Sequence, residues 1–411
     1  MSAPGPQLLG FEQALAQLLA SVAPLPAERV SIFESDGRVL ASDVIAPYPL
    51  PMFDYSAMDG YALRFADVHG DRPTELPVPT TSSAGGERSA LAAETACRIF
   101  TGAPLPDGAD TVVMQENVEA FDRGGETWAR FQAISKAGSH IRRQGEDLAA
   151  GGIAIARGTR LTPGKVALAA ALDRASLSVS QRPIVTVLGT GDELRSPGDA
   201  VRPSSVVESN GFFVTALARR VGATARLGPF VPDEEGAARD AIAEAIRSSD
   251  VLVTIGGVSV GTRDVVRPAL EAAGVSIDFY KVAMKPGKPL TVGRLGNKIV
   301  LGLPGNPASA SLTFMLFGVP LLRALAGDSQ PLPTRRRMRI EGNIKREPGR
   351  TEFARATLTM QAGEACARLL PNQASGAVTS FAAADALVVI PAEHGPLSSG
   401  ERCDVIAIAD V

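Results

Sequence analysis

The chain has 411 residues, with 41 Lys and Arg against 44 Asp and Glu and a formal net charge of −3. Such a balance excludes a general basic field for nucleic acid or an anionic membrane surface, so any anionic ligand must be held by local cations. The length predicts about three domains, more if some are small. Cys97, Cys366 and Cys403 have no paired spacing, which suggests neither a zinc site nor a disulfide framework.

In chain order, Phe11, Ala14, Leu15, Leu18, Leu19 and Val22 recur at helical amphipathic spacing. The acidic Glu12 and the lack of a basic flank argue against a secretion signal, which predicts a cytoplasmic protein. Helix is expected up to about Val44, with Pro24 and Pro26 ending the first helix. From Ile45 to about Ile141 the chain is rich in Pro, Gly and Thr, with short strand-like pieces at Cys97 to Thr101 and Thr111 to Met114. Helical pattern returns at Gly164 to Leu172, so a β-rich module is predicted as an insertion into a helical domain.

The stretch Gln181 to Asp328 alternates β-branched strands with helical patterns, the signature of a parallel sheet covered on both faces. Pro183 to Leu194 enters Gly189, Thr190, Gly191, Asp192 and Glu193. Val251 to Ile255 enters Gly256, Gly257, Val258, Ser259, Val260 and Gly261, and helix is expected from near Thr262. Lys298 to Leu303 enters Pro304, Gly305, Asn306 and Pro307, with Asn306 as N-cap and Pro307 at the first helical position. Between the first two units lie a helix at Gly211 to Val221, a strand at Thr224 to Val231 and a helix at Glu234 to Arg247. Strand-to-helix turns of this kind aim backbone N–H groups at anions, and ligands collect at the carboxyl ends of the strands. No apolar stretch is read as long and uncharged enough to cross a bilayer.

After Asp328 and the Pro331–Pro333 linker the texture changes. Phe353, Arg355, Thr357 and Thr359 alternate with Ala354, Ala356, Leu358 and Met360, the pattern of a half-buried strand. Ala386 to Ile390 and Val405 to Ile408 read as further strands, and a small β-barrel or sandwich is expected. The fold class is thus multidomain α/β and β: a central doubly wound α/β domain at 181–328, a helical domain at 1–44 plus 142–180, an inserted β-rich module at 45–141 and a C-terminal β-barrel at 329–411.

His69, His140 and His394 sit in no recognised catalytic motif, and there is neither a nucleophile elbow nor a Walker phosphate loop. Carboxylates, lysines, hydroxyls and backbone amides remain, a set that favours phosphate chemistry assisted by a hard cation such as magnesium. Lys281, Lys285 and Lys288 come from one short segment broken by Pro286 and Gly287. Three ammonium groups that close repel each other unless an anion sits among them, although a solvated basic loop explains them too.

The segments FDYSAMDGYA (from Phe53), FTGAPLPDGAD (from Phe100), RRQGED (from Arg142), TGDEL (from Thr190), GGVSVGTRD (from Gly256), KVAMKPGKP (from Lys281) and GLPGNPASA (from Gly302) occur in that order. Together they resemble the molybdopterin molybdenumtransferase family (bacterial MoeA and the E domain of gephyrin). The resemblance covers nearly the whole chain, matching more loosely at GRTEF (Gly349 to Phe353) and NQASG (Asn372 to Gly376). The family pattern usually has Asn where this chain has Tyr55.

The resemblance implies insertion of molybdate at the dithiolene of adenylated molybdopterin, with magnesium required and AMP released. The molybdenum ligands then come from the substrate, so no cysteine cluster is needed. On this reading Asp233 and Asp264 hold magnesium against the pyrophosphate, and Glu193 positions the metal or a water. Lys281, Lys285 and Lys288 take phosphate or molybdate. Gly256, Gly257, Ser259 and Gly261 cradle the pterin phosphate or the AMP side, and Pro304, Asn306, Pro307 and Ser309 border the same ligand. Arg350 and Ser375 complete the molybdate pocket. Asp59, Thr101 and Asp147 face the cleft from the inserted module, across a subunit boundary if the chain forms the family's homodimer. Hand-over contacts with the adenylyltransferase and with apo-molybdoenzymes are also implied. Two other readings fit parts of the pattern: molybdopterin adenylyltransferase, which the α/β domain alone resembles, and a non-enzymatic scaffold. The additional domains argue against the first. A scaffold would carry an extra oligomerising domain or a long disordered linker.

Overall fold

The structure, a computed structural model, describes residues 8–68, 72–134, 136–257, 265–361 and 363–411. The chain divides into two compact units, one of Met1–Ser42, Arg157–Val166 and Ala175–Val411, the other of Asp43–Ala156 and Ala167–Arg174.

The first unit is built on one large sheet. The strands Thr224–Leu227, Ile184–Gly189, Val251–Ile255 and Lys298–Leu303 lie side by side in that order and run parallel. Side chains alternate along these strands, and both sets are apolar, so the sheet is covered twice. Val185, Val187, Val253 and Leu301 face a core shared with Val214 and Phe314, whereas Leu188, Leu252 and Val300 face a second core with Ile242, Ile246 and Leu270. The covering helices are Asn210–Arg220 and Pro307–Leu325 on the first face, and Glu235–Arg247 and Val266–Ala272 on the second. This is the expected doubly wound domain. The sequence reading missed the hairpin of Ser276–Lys285 and Pro289–Leu295, which extends the sheet antiparallel beyond Lys298–Leu303.

The helix Pro307–Leu325 corrects one expectation, because it is long and apolar enough to cross a membrane by length and composition. Its window is 89% buried within the protein, so the apolarity serves the core. Phe314, Phe317, Leu321 and Leu322 pack there with Phe11, Leu15 and Leu18 of the helix Phe11–Leu19. Each such side chain contributes about 1.5–3 kcal/mol by leaving water. Among the described residues, the expectation of helix up to Val44 holds for Phe11–Leu19 and a single 3-10 turn at Ile32–Glu34. Ala27–Ser31 is a strand paired antiparallel with Ser176–Ser180, and its residues alternate between exposed and half-buried, a period that suits strand rather than helix.

Five strands close the C-terminal barrel. Arg336–Glu341 pairs with Glu364–Leu369 and Arg402–Ala407, and Thr351–Gln361 and Ala386–Ile390 complete the ring. Small residues, Ala354, Ala356, Ala367 and Ala386, fill the narrow interior with Val388, Ile390 and Val405. Alternate residues Phe353, Leu387, Val389 and Ile406 join the core of the α/β sheet. Glu352 to Ala356 is therefore buried on both faces, and the half-buried alternation holds only from Thr357 onward.

The second unit contains a four-stranded sheet (Thr80–Ser82, Cys97–Ile99, Gly60–Leu63, Thr111–Met114) and a three-stranded one (Val118–Arg123, Glu126–Phe131, Thr74–Pro77). Tyr61, Leu63, Leu76 and Phe131 share one core, and Ala62, Cys97, Ile99 and Val112 share another. Gly60 is required by its neighbour, since a Cβ there would overlap the Val113 carbonyl on the paired strand.

Candidate functional site

The chain leaves the Ile184 strand for Thr224–Leu227 on one side, then crosses to Val251–Ile255 on the other. That reversal opens a crevice at the carboxyl ends of the strands. The turns bounding it are stitched by backbone. Thr190 donates its amide (3.0 Å) and hydroxyl (3.1 Å) to the Ile255 carbonyl, Gly191 donates to Val231, and Gly256 donates to Leu303. Gly257 has a φ of 60°, and a Cβ on it would overlap the Val266 side chain. The result is a cavity of about 610 Å³ walled by Thr190–Gly191, Gly256–Gly257, the turn Pro304–Pro307, Asn210 and Pro289.

Its charge is one-signed. Glu193, Glu208 and Asp233 line the wall, and among its described residues there is no Lys or Arg. Glu193 is exposed and folds back over Gly191, where its carboxylate occupies the place a Cβ would take. Asp233 is exposed, and its amide donates to Asp192 Oδ1 at 3.3 Å. Glu208, only 2% exposed, accepts the Gly211 amide at the start of the helix Asn210–Arg220, where a carboxylate suits the unpaired amides and the helix dipole. The sequence reading missed Glu208 and Asn210. The available signal was the run Glu208-Ser209-Asn210 just before a helical pattern. The adjoining helix is capped by Glu234, which accepts the amides of Ala237 and Gly236, and these two bonds hold its carboxyl below the usual range.

Of the expected substrate-binding residues, Gly256, Gly257, Pro304, Asn306 and Pro307 line the cavity. Ser309 is buried in the helix behind them, 3% exposed. Ser259, Gly261 and Asp264 lie outside the described residues, and the described helix in that region begins at Val266. Asn306 occupies the cap position with Pro307 at the first turn, but its side chain makes no capping bond. The Ala308 amide takes the Ser375 carbonyl instead, at 2.9 Å, which brings the barrel loop 372–376 to the cavity wall. That loop is anchored by Arg355, 1% exposed, whose Nη2 donates to the carbonyls of Asn372 (3.2 Å) and Ala374 (3.0 Å).

The lysines part company. None lines the cavity, and their surroundings differ. Lys281 borders a separate cleft of about 340 Å³, its ammonium 5.0 Å from the Tyr280 ring centre. Lys285 pairs with Glu352 of the barrel at 3.0 Å, because Met284–Lys285 runs parallel to Thr351–Glu352. Lys288 is exposed in the turn beside Pro289, with no ion-pair partner among the described residues. Arg350 is exposed, and its carbonyl accepts Arg346 Nη2 at 2.6 Å.

Asp59, Thr101 and Asp147 belong to the second unit. Asp59 Oδ1 accepts the amide of Thr101 at 2.8 Å and its hydroxyl at 2.7 Å, which holds the Asp59 carboxyl below the usual range. Asp147 is exposed, and its amide donates to Leu50. In the same unit burial pushes the Asp54 carboxyl up, but the Gln144 amide and the Arg143 guanidinium outweigh it and hold it low.

Three family models match in order: the MoeA N-terminal region (domain I and II) over residues 9–172, a probable molybdopterin binding domain over 186–324, and the MoeA C-terminal region (domain IV) over 337–408. The molybdopterin molybdenumtransferase 2 of Mycobacterium tuberculosis is 38% identical over 407 residues, covering 96% of this chain and 97% of its own. The molybdopterin molybdenumtransferase of Haemophilus influenzae is 34% identical over 97% of this chain and 98% of its own. A molybdopterin biosynthesis MoeA protein from Pyrococcus horikoshii has a solved structure that superposes with a TM-score of 0.84, 27% identity and coverage of 98% and 100%. With one-third identity sustained from end to end, the chain belongs to the molybdopterin molybdenumtransferase family.

Proposed function

We propose that the protein inserts molybdate into adenylated molybdopterin and releases AMP, giving molybdenum cofactor. The observation that carries this is the full-length relatedness to molybdopterin molybdenumtransferases. The cavity at the switch point supports it, being large enough for a nucleotide-like ligand.

A wall of Glu193, Glu208 and Asp233 repels a pyrophosphate unless a divalent cation lies between them. Among the described residues no three His, Cys, Asp or Glu side chains form a metal cage. Magnesium suits that arrangement, since it binds through one or two carboxylates plus substrate phosphates. We assign it to Asp233 and Glu193, which both line the cavity, and bound there it would neutralise the phosphate charge. Gly256 and Gly257 leave room for a phosphate against bare backbone, and Asn306 offers an amide donor. Lys285, Lys288 and Arg350 supply positive charge for molybdate, Lys285 and the Arg350 backbone being linked through Glu352 and Arg346.

The same reading makes the working form a homodimer. Asp59 and Thr101 are joined between two segments whose Met52, Phe53, Met58 and Phe100 are exposed, large apolar side chains that a partner would cover. With Asp147 they would complete the cleft of a second copy. Free, buried Cys97, Cys366 and Cys403 suit a reducing compartment, and we place the reaction in the cytoplasm, with hand-over to apo-molybdoenzymes following it.

Purified protein given adenylated molybdopterin and magnesium tests the reading. AMP release that depends on molybdate, with metal retained on the pterin, is the expected outcome. AMP incorporation from ATP and free molybdopterin instead would move the protein one step back, to adenylation.

A further inference from the structure

Glu352 is 5% exposed and holds two cations at once. Its Oε1 lies 3.0 Å from Lys285 Nζ and its Oε2 3.2 Å from Arg346 Nε. Arg346 is 8% exposed, and it passes the constraint on. Its Nη2 donates to the Arg350 carbonyl at 2.6 Å, and its Nη1 donates to the carbonyls of Pro391 (3.1 Å) and His394. One buried carboxylate thus ties together the end of the Ser276–Lys285 strand and the loop carrying Arg350. The Arg350 guanidinium has no ion-pair partner among the described residues, and the Lys285 side chain is 45% exposed despite its partner.

We propose that Glu352 is the positioning residue of the anion site: it fixes the Lys285 ammonium directly and the Arg350 backbone through Arg346, so that both cations meet molybdate in one geometry. This rests on the functional reading above. A buried carboxylate beside an anion site is costly for anion affinity, since it offsets one of the cations that attract the ligand. Alignment outweighs that cost, because two donors on separate segments grip a small tetrahedral anion only when both are held in place.

The two effects have opposite signs, which makes the proposal testable. The full chain carrying Glu352→Gln or Glu352→Asp is compared with wild type for molybdate-dependent AMP release and for the rate at which acetic anhydride modifies Lys285, mapped by peptide mass spectrometry. Glu352→Gln is expected to raise the half-saturating molybdate concentration about tenfold or more, with KM for adenylated molybdopterin unchanged and Lys285 acetylated faster. A purely electrostatic role predicts tighter molybdate saturation, and that result, or no change, overturns the proposal. Should Glu352→Gln fail to fold, Glu352→Asp keeps the charge facing Arg346 and shortens the reach to Lys285. It is expected to show the same selective loss, and unaltered molybdate saturation in it overturns the proposal. A wild-type protein that releases no AMP defeats the functional reading separately. Protection of Lys285 from acetylation by added molybdate then decides the positioning alone: protection seen in wild type and lost in Glu352→Gln upholds it, and protection equal in both or absent from wild type ends it.

Discussion

The side-chain amide of Asn210 donates to the Gly305 carbonyl at 2.8 Å, across a sequence separation of 95 residues. This bond joins the start of the helix after Glu208 to the turn after Lys298–Leu303, two walls of the same cavity. Replacing Asn210 by Ala removes the bond while leaving Glu208 to cap the helix. Stability is expected to fall by about 1 kcal/mol. Turnover is expected to fall about tenfold as the turn drifts. Thermal melts and AMP-release kinetics on the same preparation separate the two effects.

Gly257 and Gly305 should respond differently to the same methyl group. At Gly257 a Cβ meets the Val266 side chain with the backbone at a φ of 60°, so Gly257→Ala is expected to destabilise the protein. The size is about 1–3 kcal/mol, the range for overpacking. At Gly305 the nearest atom to a new Cβ is Gly256 Cα at 3.7 Å, an ordinary contact. Gly305→Ala should therefore melt like wild type and raise KM, because the methyl enters the cavity. Denaturant titration of both variants, with KM measured on the folded one, checks the contrast.

Magnesium dependence should follow Asp233. Asp233→Asn keeps the size of the side chain and removes one of the cavity's charges. The half-saturating magnesium concentration is expected to rise about tenfold, with the melting temperature unchanged because the side chain is exposed. A magnesium titration of AMP release with unaltered saturation would take Asp233 out of the metal site.

The bonds from Thr101 to Asp59 predict a pH response in the second unit. Because they hold the Asp59 carboxyl below its ordinary value, their stabilisation is fully present above that value and is lost as pH falls through the depressed one. Hydrogen exchange at the Thr101 amide should therefore stay slow down to about pH 4 and speed up in more acid solution, once the intrinsic rate is allowed for. In Asp59→Ala, which leaves no acceptor, the amide should exchange fast throughout.

Much of the fold was legible because periodicity reports burial. The strands at Ile184, Val251 and Lys298 are apolar on both faces, and the glycine and proline turns after them mark where a ligand can approach backbone. The doubly wound domain and most of the cavity-lining residues after those strands followed from that. Arg355 shows where periodicity ceases to report burial. In the sequence it alternates like an outward-facing residue, yet it is 1% exposed, because loop 372–374 folds over it and supplies carbonyls as partners. The lysine segment shows the same limit. Closeness in sequence gave the three lysines a single description, but strand pairing set Lys285 against a carboxylate of the barrel and Lys281 beside another cleft.

By itself, the sequence determined what depends on local pattern: the alternating α/β domain, the strand-rich C-terminal region, the turns at Thr190, Gly256 and Pro304, and the family resemblance carried by ordered motifs. Only the tertiary structure decided which polar groups meet across the chain. Asn210 on Gly305, and Glu352 between Lys285 and Arg346, are set by sheet order and register. Charged side chains carry no period that names a distant partner, so that pairing emerges only when the backbone brings the segments together.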